Sequence, residues 1–126
     1  MNEVALARLE AFRVATEAKG SARHEFYRAR TDLLYEPQFD NLPGETALVL
    51  GKLLDYTAAW RRSIEAEIDF YEAAAEADKG PMARVMAERL RDHVERRCQT
   101  EEEFRRDTIV YRVLLLKQEN RERLEE

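Results

Sequence analysis

The sequence predicts an all-α chain: an elongated antiparallel three-helix bundle of coiled-coil character, with helices over about 3–35, 44–78 and 81–120. Three observations predict it. Ala, Arg, Glu and Leu dominate, only 4 residues are Gly and 3 are Pro, and 37% are charged, the mixture of long helices. The 44% hydrophobic content is too high for a disordered chain and recurs at steps of three and four residues. Finally, only two stretches interrupt that rhythm: YEPQFDNLPGE at 35–45 and DKGP at 78–81. At 126 residues the chain suits one domain, residues 1–126, with an inter-helix linker at 36–43 and a charged C-terminal tail at 117–126.

The first helix places Leu9, Phe12, Phe26 and Leu33 on one face. It stops where Pro37 discourages continuation, and Asp40 or Asn41 is positioned to cap the helix beginning near Pro43. In that second helix Leu50, Leu53, Thr57, Trp60, Ile64, Ile68 and Tyr71 alternate by three and four. Gly80 suits a left-handed helix end, and Pro81 suits a helix start because its missing N–H would be unpaired there. In the third helix Leu90, Val94, Phe104, Tyr111 and Leu115 hold the two apolar heptad positions and form the expected inward stripe.

Short connections make neighbours antiparallel. Residues level across the first pair should have numbers summing to about 80, and across the second pair about 160. Phe12 is then expected near Ile68, Leu9 near Tyr71 and Phe26 near Leu54. Gly20 falls level with Trp60. Because a mid-helix glycine costs about 1 kcal/mol relative to alanine, room for the indole is one explanation for it; a kink at Gly20 and Ser21 is the other.

Two features of the third helix stand out. Between Val94 and Phe104 the heptad positions are Arg97 and Glu101, a polar core layer suited to bond along one helix. The first reading is long side chains snorkelling out beside a kink or gap between helices; the second is a layer that fixes register, as buried polar layers can in coiled coils. Further on, TIVYRVLLL at 108–116 is apolar on more than one side. With Tyr111 and Leu115 turned inward, Ile109, Val110, Val113, Leu114 and Leu116 make a second apolar surface. Phe39 and Leu42 of the linker can cover part of it; the remainder is expected to meet another chain, by homo-oligomerisation or docking in a larger assembly.

Net charge is −5, and residues 45–80 carry eight acids against four bases, while 81–126 carry eleven of each. No basic stripe marks a nucleic-acid surface. The single cysteine, Cys98, excludes an internal disulfide and points to a reducing compartment. The opening MNEVALARLEAF lacks the basic-then-apolar pattern of a secretory signal, and no apolar run approaches the roughly 20 residues of a membrane span. A soluble, intracellular and cytoplasmic protein is expected.

No phosphate-binding glycine loop, dinucleotide fingerprint, nucleophile elbow or zinc-spaced Cys and His cluster is present. His93 falls level with Glu67 and within about a turn of Glu10 or Glu17, so a carboxylate–histidine cluster can be drawn. Residues 64–97, IEAEIDFYEAAAEADKGPMARVMAERLRDHVERR, resemble a ferritin-like or rubrerythrin-like helix pair, which implies a metal-binding oxidoreductase. Such sites use Glu-x-x-His pairs, but Leu90 stands three before His93 and Ser21 three before His24, and a fourth helix is missing. Residues 50–74, LGKLLDYTAAWRRSIEAEIDFYEAA, with 101–126, EEEFRRDTIVYRVLLLKQENRERLEE, are similar to the final helices of sorting-nexin-type BAR domains, which implies a dimeric membrane-binding coiled coil. This chain is shorter and acidic where those domains are basic. The leading expectation is a non-enzymatic structural or protein-interaction module, without cofactor, metal or catalytic residue, that self-associates or joins a larger assembly.

Overall fold

The computed structural model describes residues 2–74 and 81–125. The predicted end of the second helix at 75–78 and the Gly80 cap lie outside the described residues. Among the described residues three helices run in order: α1 (Glu3–Tyr35), α2 (Leu42–Ala74) and α3 (Pro81–Glu125), with a 3-10 turn at Phe39–Asn41 between the first two. The molecule is an all-α helical bundle. Among the described residues no helix is long and apolar enough to cross a membrane.

Local chemistry explains the helix ends. Asn2 caps α1, its Oδ1 accepting from the Ala5 N–H at 2.7 Å. The last turn of α1 closes when the Glu36 N–H donates to the Asp32 carbonyl at 3.0 Å, just before Pro37. The linker is tighter than expected, because the 3-10 turn feeds directly into α2 at Leu42, two residues ahead of the predicted start. Pro43 sits in the first turn, where a missing N–H leaves no bond unmade. The Asn41 side chain folds over that turn, its Oδ1 standing 2.5 Å from where a Gly44 Cβ would be. The charged stretch at 117–125 is helical and continues α3.

The antiparallel level rule holds. Across α1 and α2, Thr16 meets Ser63 at 3.4 Å, Glu25 meets Lys52 at 3.1 Å and Arg8 meets Asp69 at 3.8 Å, pairs whose numbers sum to within about three of 80. Across α2 and α3, Asp69 meets Arg91 at 2.8 Å and Tyr56 lies under the Arg105 guanidinium at 5.7 Å, close to the sum of 160. Phe26, however, joins Leu53 in the core, whereas Leu54 is exposed; Leu9 and Tyr71 are exposed as well. Gly20 does not make room for Trp60, since a Cβ built there meets nothing within 4 Å.

One apolar core sits at the linker end. Phe26 and Leu33 of α1, Leu42, Val49 and Leu53 of α2, and Ile109 and Val113 of α3 form it, with Phe39 and Leu116 against its edge. The expected orientation of α3 is therefore corrected. Ile109 and Val113 are 2% and 5% exposed, whereas Phe104 and Tyr111, expected inside, are 70% and 61% exposed. Leu90 and Leu115 are exposed too. The stripe that actually faces α2 passes through Ala87, Arg91, Val94, Cys98, Glu102, Arg105, Ile109 and Val113, about a quarter turn around the helix from the heptad reading at 100° per residue.

Towards the hairpin end, α2 and α3 are joined by charge. Arg91 donates to Glu72 at 3.0 Å and to Asp69 at 2.8 Å, with Glu65 at 3.9 Å. Its guanidinium is held above its ordinary pKa; burial opposes that shift and the Glu72 and Asp69 bonds produce it. Arg61 reaches Glu95 at 3.0 Å and Glu102 at 3.7 Å. The first contact is close enough for an ion pair, but the Arg61 N–H is not aligned for a hydrogen bond. Cys98 lies buried next to this pair, and burial pushes its thiol pKa up, which leaves it a poor nucleophile.

Candidate interaction face

Helix α2 packs closely against both neighbours, while α1 and α3 approach each other more sparsely, in the linker-end core and through the Arg105–Tyr27 bond. In a closed three-helix bundle every helix touches the other two. Here α1 and α3 stand like the diagonal corners of a four-helix bundle, with α2 between them and the fourth corner open.

The open side is a groove of about 440 Å³ at the linker end, floored by Phe26, Leu34 and Ile109 and walled by Tyr27 and Phe104. It is also cationic. Arg30 lies over the Tyr27 ring at 4.6 Å, and Arg105 donates to the Tyr27 hydroxyl at 3.0 Å while lying over the Tyr56 ring at 5.7 Å. The Arg105 hydrogen bond holds the Tyr27 phenol below the usual tyrosine range, against the opposing effect of burial. Arg112 lines the same groove and forms no ion pair among the described residues. These residues were not singled out from the sequence. The spacing of Arg23, Tyr27, Arg30 and Leu34 at helical steps was the available signal, but it reads equally as a solvated face.

Of the heptad series Leu90, Val94, Arg97, Glu101, Phe104, Thr108, Tyr111 and Leu115, the structure brings Glu101, Phe104 and Thr108 to the groove, and Arg97, one turn before Glu101, is exposed beside it. Arg97 and Glu101 therefore lie on the open flank and do not form a buried layer within the chain. They do not bond each other: Glu101 Oε2 is 3.9 Å from Arg105, and Arg97 forms no hydrogen bond or ion pair among the described residues.

The five residues expected to meet another chain are divided by the fold. Ile109 and Val113 belong to the chain's own core, and Leu116 packs against its edge. Val110 and Leu114 are exposed on the opposite flank of α3. There, with Pro43, Ala47 and Leu50 of α2, they line a shallower depression of about 300 Å³. Of the carboxylate–histidine cluster, Glu10 and Glu17 both bind Arg13, at 2.6 Å and 2.7 Å, and His93 is exposed. Among the described residues no group of three His, Cys, Asp or Glu is placed to hold a metal ion. The chain matches no known family model, and neither a curated protein nor a solved structure is similar to it.

Proposed function

We propose that this chain is a non-enzymatic assembly module whose α1–α3 face receives a further helix. One observation carries the reading: α1 and α3 flank α2 with little contact between them, and beside the gap α3 carries a heptad stripe whose Phe104 lines the groove and whose Tyr111 is left exposed. Unpaired stripes of that period are what helices use to join other helices. The surface area agrees. The chain exposes 8969 Å² at 14.8 kDa, against about 7,000 Å² for a compact monomer of that mass. The excess is larger than the roughly 800 Å² per partner of a standard interface.

The test is the double variant Phe104→Glu with Tyr111→Glu. Both side chains point away from the core, so helicity and melting temperature should be unchanged while association measured by light scattering is lost. A variant that unfolds would make these residues core and overturn the reading.

A further inference from the structure

Resting on that reading, we infer that the helix received by the open face is α3 of a second copy, laid antiparallel and centred between Arg97 and Glu101. Any amphipathic helix could fill the gap on apolar contacts alone. Charge selects which one.

A two-fold symmetric contact places the same stripe on both copies, so the stripe must complement itself. Its apolar residues do so in any direction, but its two charges do not. In a parallel, in-register pair Arg97 would face Arg97 and Glu101 would face Glu101, two repulsive layers. In the antiparallel pair centred between them, Arg97 of each copy faces Glu101 of the other, giving two ion pairs from two residues. The same register carries the neighbouring layers. Val94 comes level with Phe104 of the copy, so each exposed Phe104 ring meets a half-buried aliphatic side chain, and Leu90 comes level with Thr108. Alternate heptad positions face one another in every layer. The layers in which the stripe faces itself, Leu90 to Thr108, run roughly 27 Å at the helical rise.

The isolated chain leaves this pair ready for an outside partner. Arg97 is exposed and unpaired among the described residues, and Glu101 has only the 3.9 Å approach of Arg105. An i, i+4 Arg and Glu that served only their own helix would be expected to bond each other. A polar layer at two consecutive heptad positions weakens an apolar seam; its usual return is a single register and orientation.

The experiment is a charge swap read by light scattering and sedimentation, with circular dichroism confirming the fold of each variant. Wild type should be a dimer. Arg97→Glu and Glu101→Arg singly each create two like-charge contacts per dimer and should raise Kd by roughly 10- to 100-fold. The double variant Arg97→Glu with Glu101→Arg should return Kd to near the wild-type value, because residue 97 again faces an opposite charge at 101. A parallel pair cannot be rescued this way, as each position would still face itself. Single variants without effect on a dimer that Phe104→Glu with Tyr111→Glu dissociates would overturn the register and leave the face intact. A wild type that stays monomeric at every concentration overturns the second copy as occupant, and the face then belongs to another protein's helix.

Discussion

The linker end and the hairpin end of this molecule are held together by different physics. At the linker end all three helices contribute to one apolar cluster, with Phe26, Leu53 and Ile109 at its centre and the Tyr56 ring 6.0 Å from that of Phe26. At the hairpin end the residues of α2 that are buried are small, Ala59, Ser63 and Ala73, with Ile68 the exception. The α2–α3 contact there is carried by Arg91 and Arg61 against five carboxylates. Apolar burial is insensitive to salt and intolerant of an inserted charge. Partly exposed ion pairs contribute little each and are screened. The linker end should therefore set the stability of the fold, and the hairpin end should open first.

The largest effect expected is at the linker end. Val113→Glu places a carboxylate in the core and should cost several kcal/mol, enough to unfold a domain of ordinary stability. Val110→Glu, three residues earlier but exposed, should change stability by no more than about 0.5 kcal/mol. Chemical denaturation of the two variants compares them directly, and equal losses would contradict the orientation of α3.

The hairpin end is probed by Arg91→Ala, which unpairs Glu72 and leaves Asp69 with Arg8 alone at 3.8 Å. Because the groups are part-exposed, the cost should be about 1 kcal/mol or less and should shrink in high salt. Hydrogen exchange should accelerate around residues 65–72 and 87–95 and leave Val49–Leu53 protected. Uniform acceleration along α2 would mean that the two ends unfold together.

Gly20 lies between the two ends, on the exposed side of α1. With open space at its Cβ and no positive φ, Gly20→Ala should raise stability by about 0.5–1 kcal/mol. A fall in melting temperature would restore the idea that the site is kept small for Trp60.

The smallest effect is spectroscopic. With its folded pKa below the unfolded value of about 10 because of Arg105, Tyr27 adds no linked stability below the folded pKa. That contribution grows as pH rises towards the unfolded value and is complete above it. Absorbance of the phenolate should therefore show one tyrosine titrating early, and Arg105→Gln should move it back into line with the others.

The inversion of α3 explains where the sequence was legible. Its heptad stripe, Leu90, Val94, Phe104, Tyr111 and Leu115, is the more regular apolar series, so periodicity alone turns it inward. The stripe that α2 covers includes Arg91, Glu102 and Arg105, which no hydrophobicity argument would place at a helix contact. Arg91 and Arg105 reach their partners with long, flexible stems, and those partners, Asp69, Glu72 and Tyr27, lie on other helices. Pairing across helices is invisible in the spacing along one of them. The open groove was hidden for the same reason: Tyr27 and Arg105 are 78 residues apart.

By itself the sequence determined the number of helices, the limits of α1, the start of α3 at Pro81 and the antiparallel register. These depend on local chemistry: a cap at Asn2, proline at the breaks, a short connection that leaves the chain no other way to turn, and apolar residues at helical steps. Only the tertiary structure decided which of two stripes α3 presents to α2, because both satisfy the helical period and the choice lies in the sum of contacts with Phe26, Leu33 and Leu53. It also decided that α1 and α3 do not close on each other. That separation turns Arg97 and Glu101 from an interior layer into a surface pair, since the side chains filling each gap come from elements far apart in the chain.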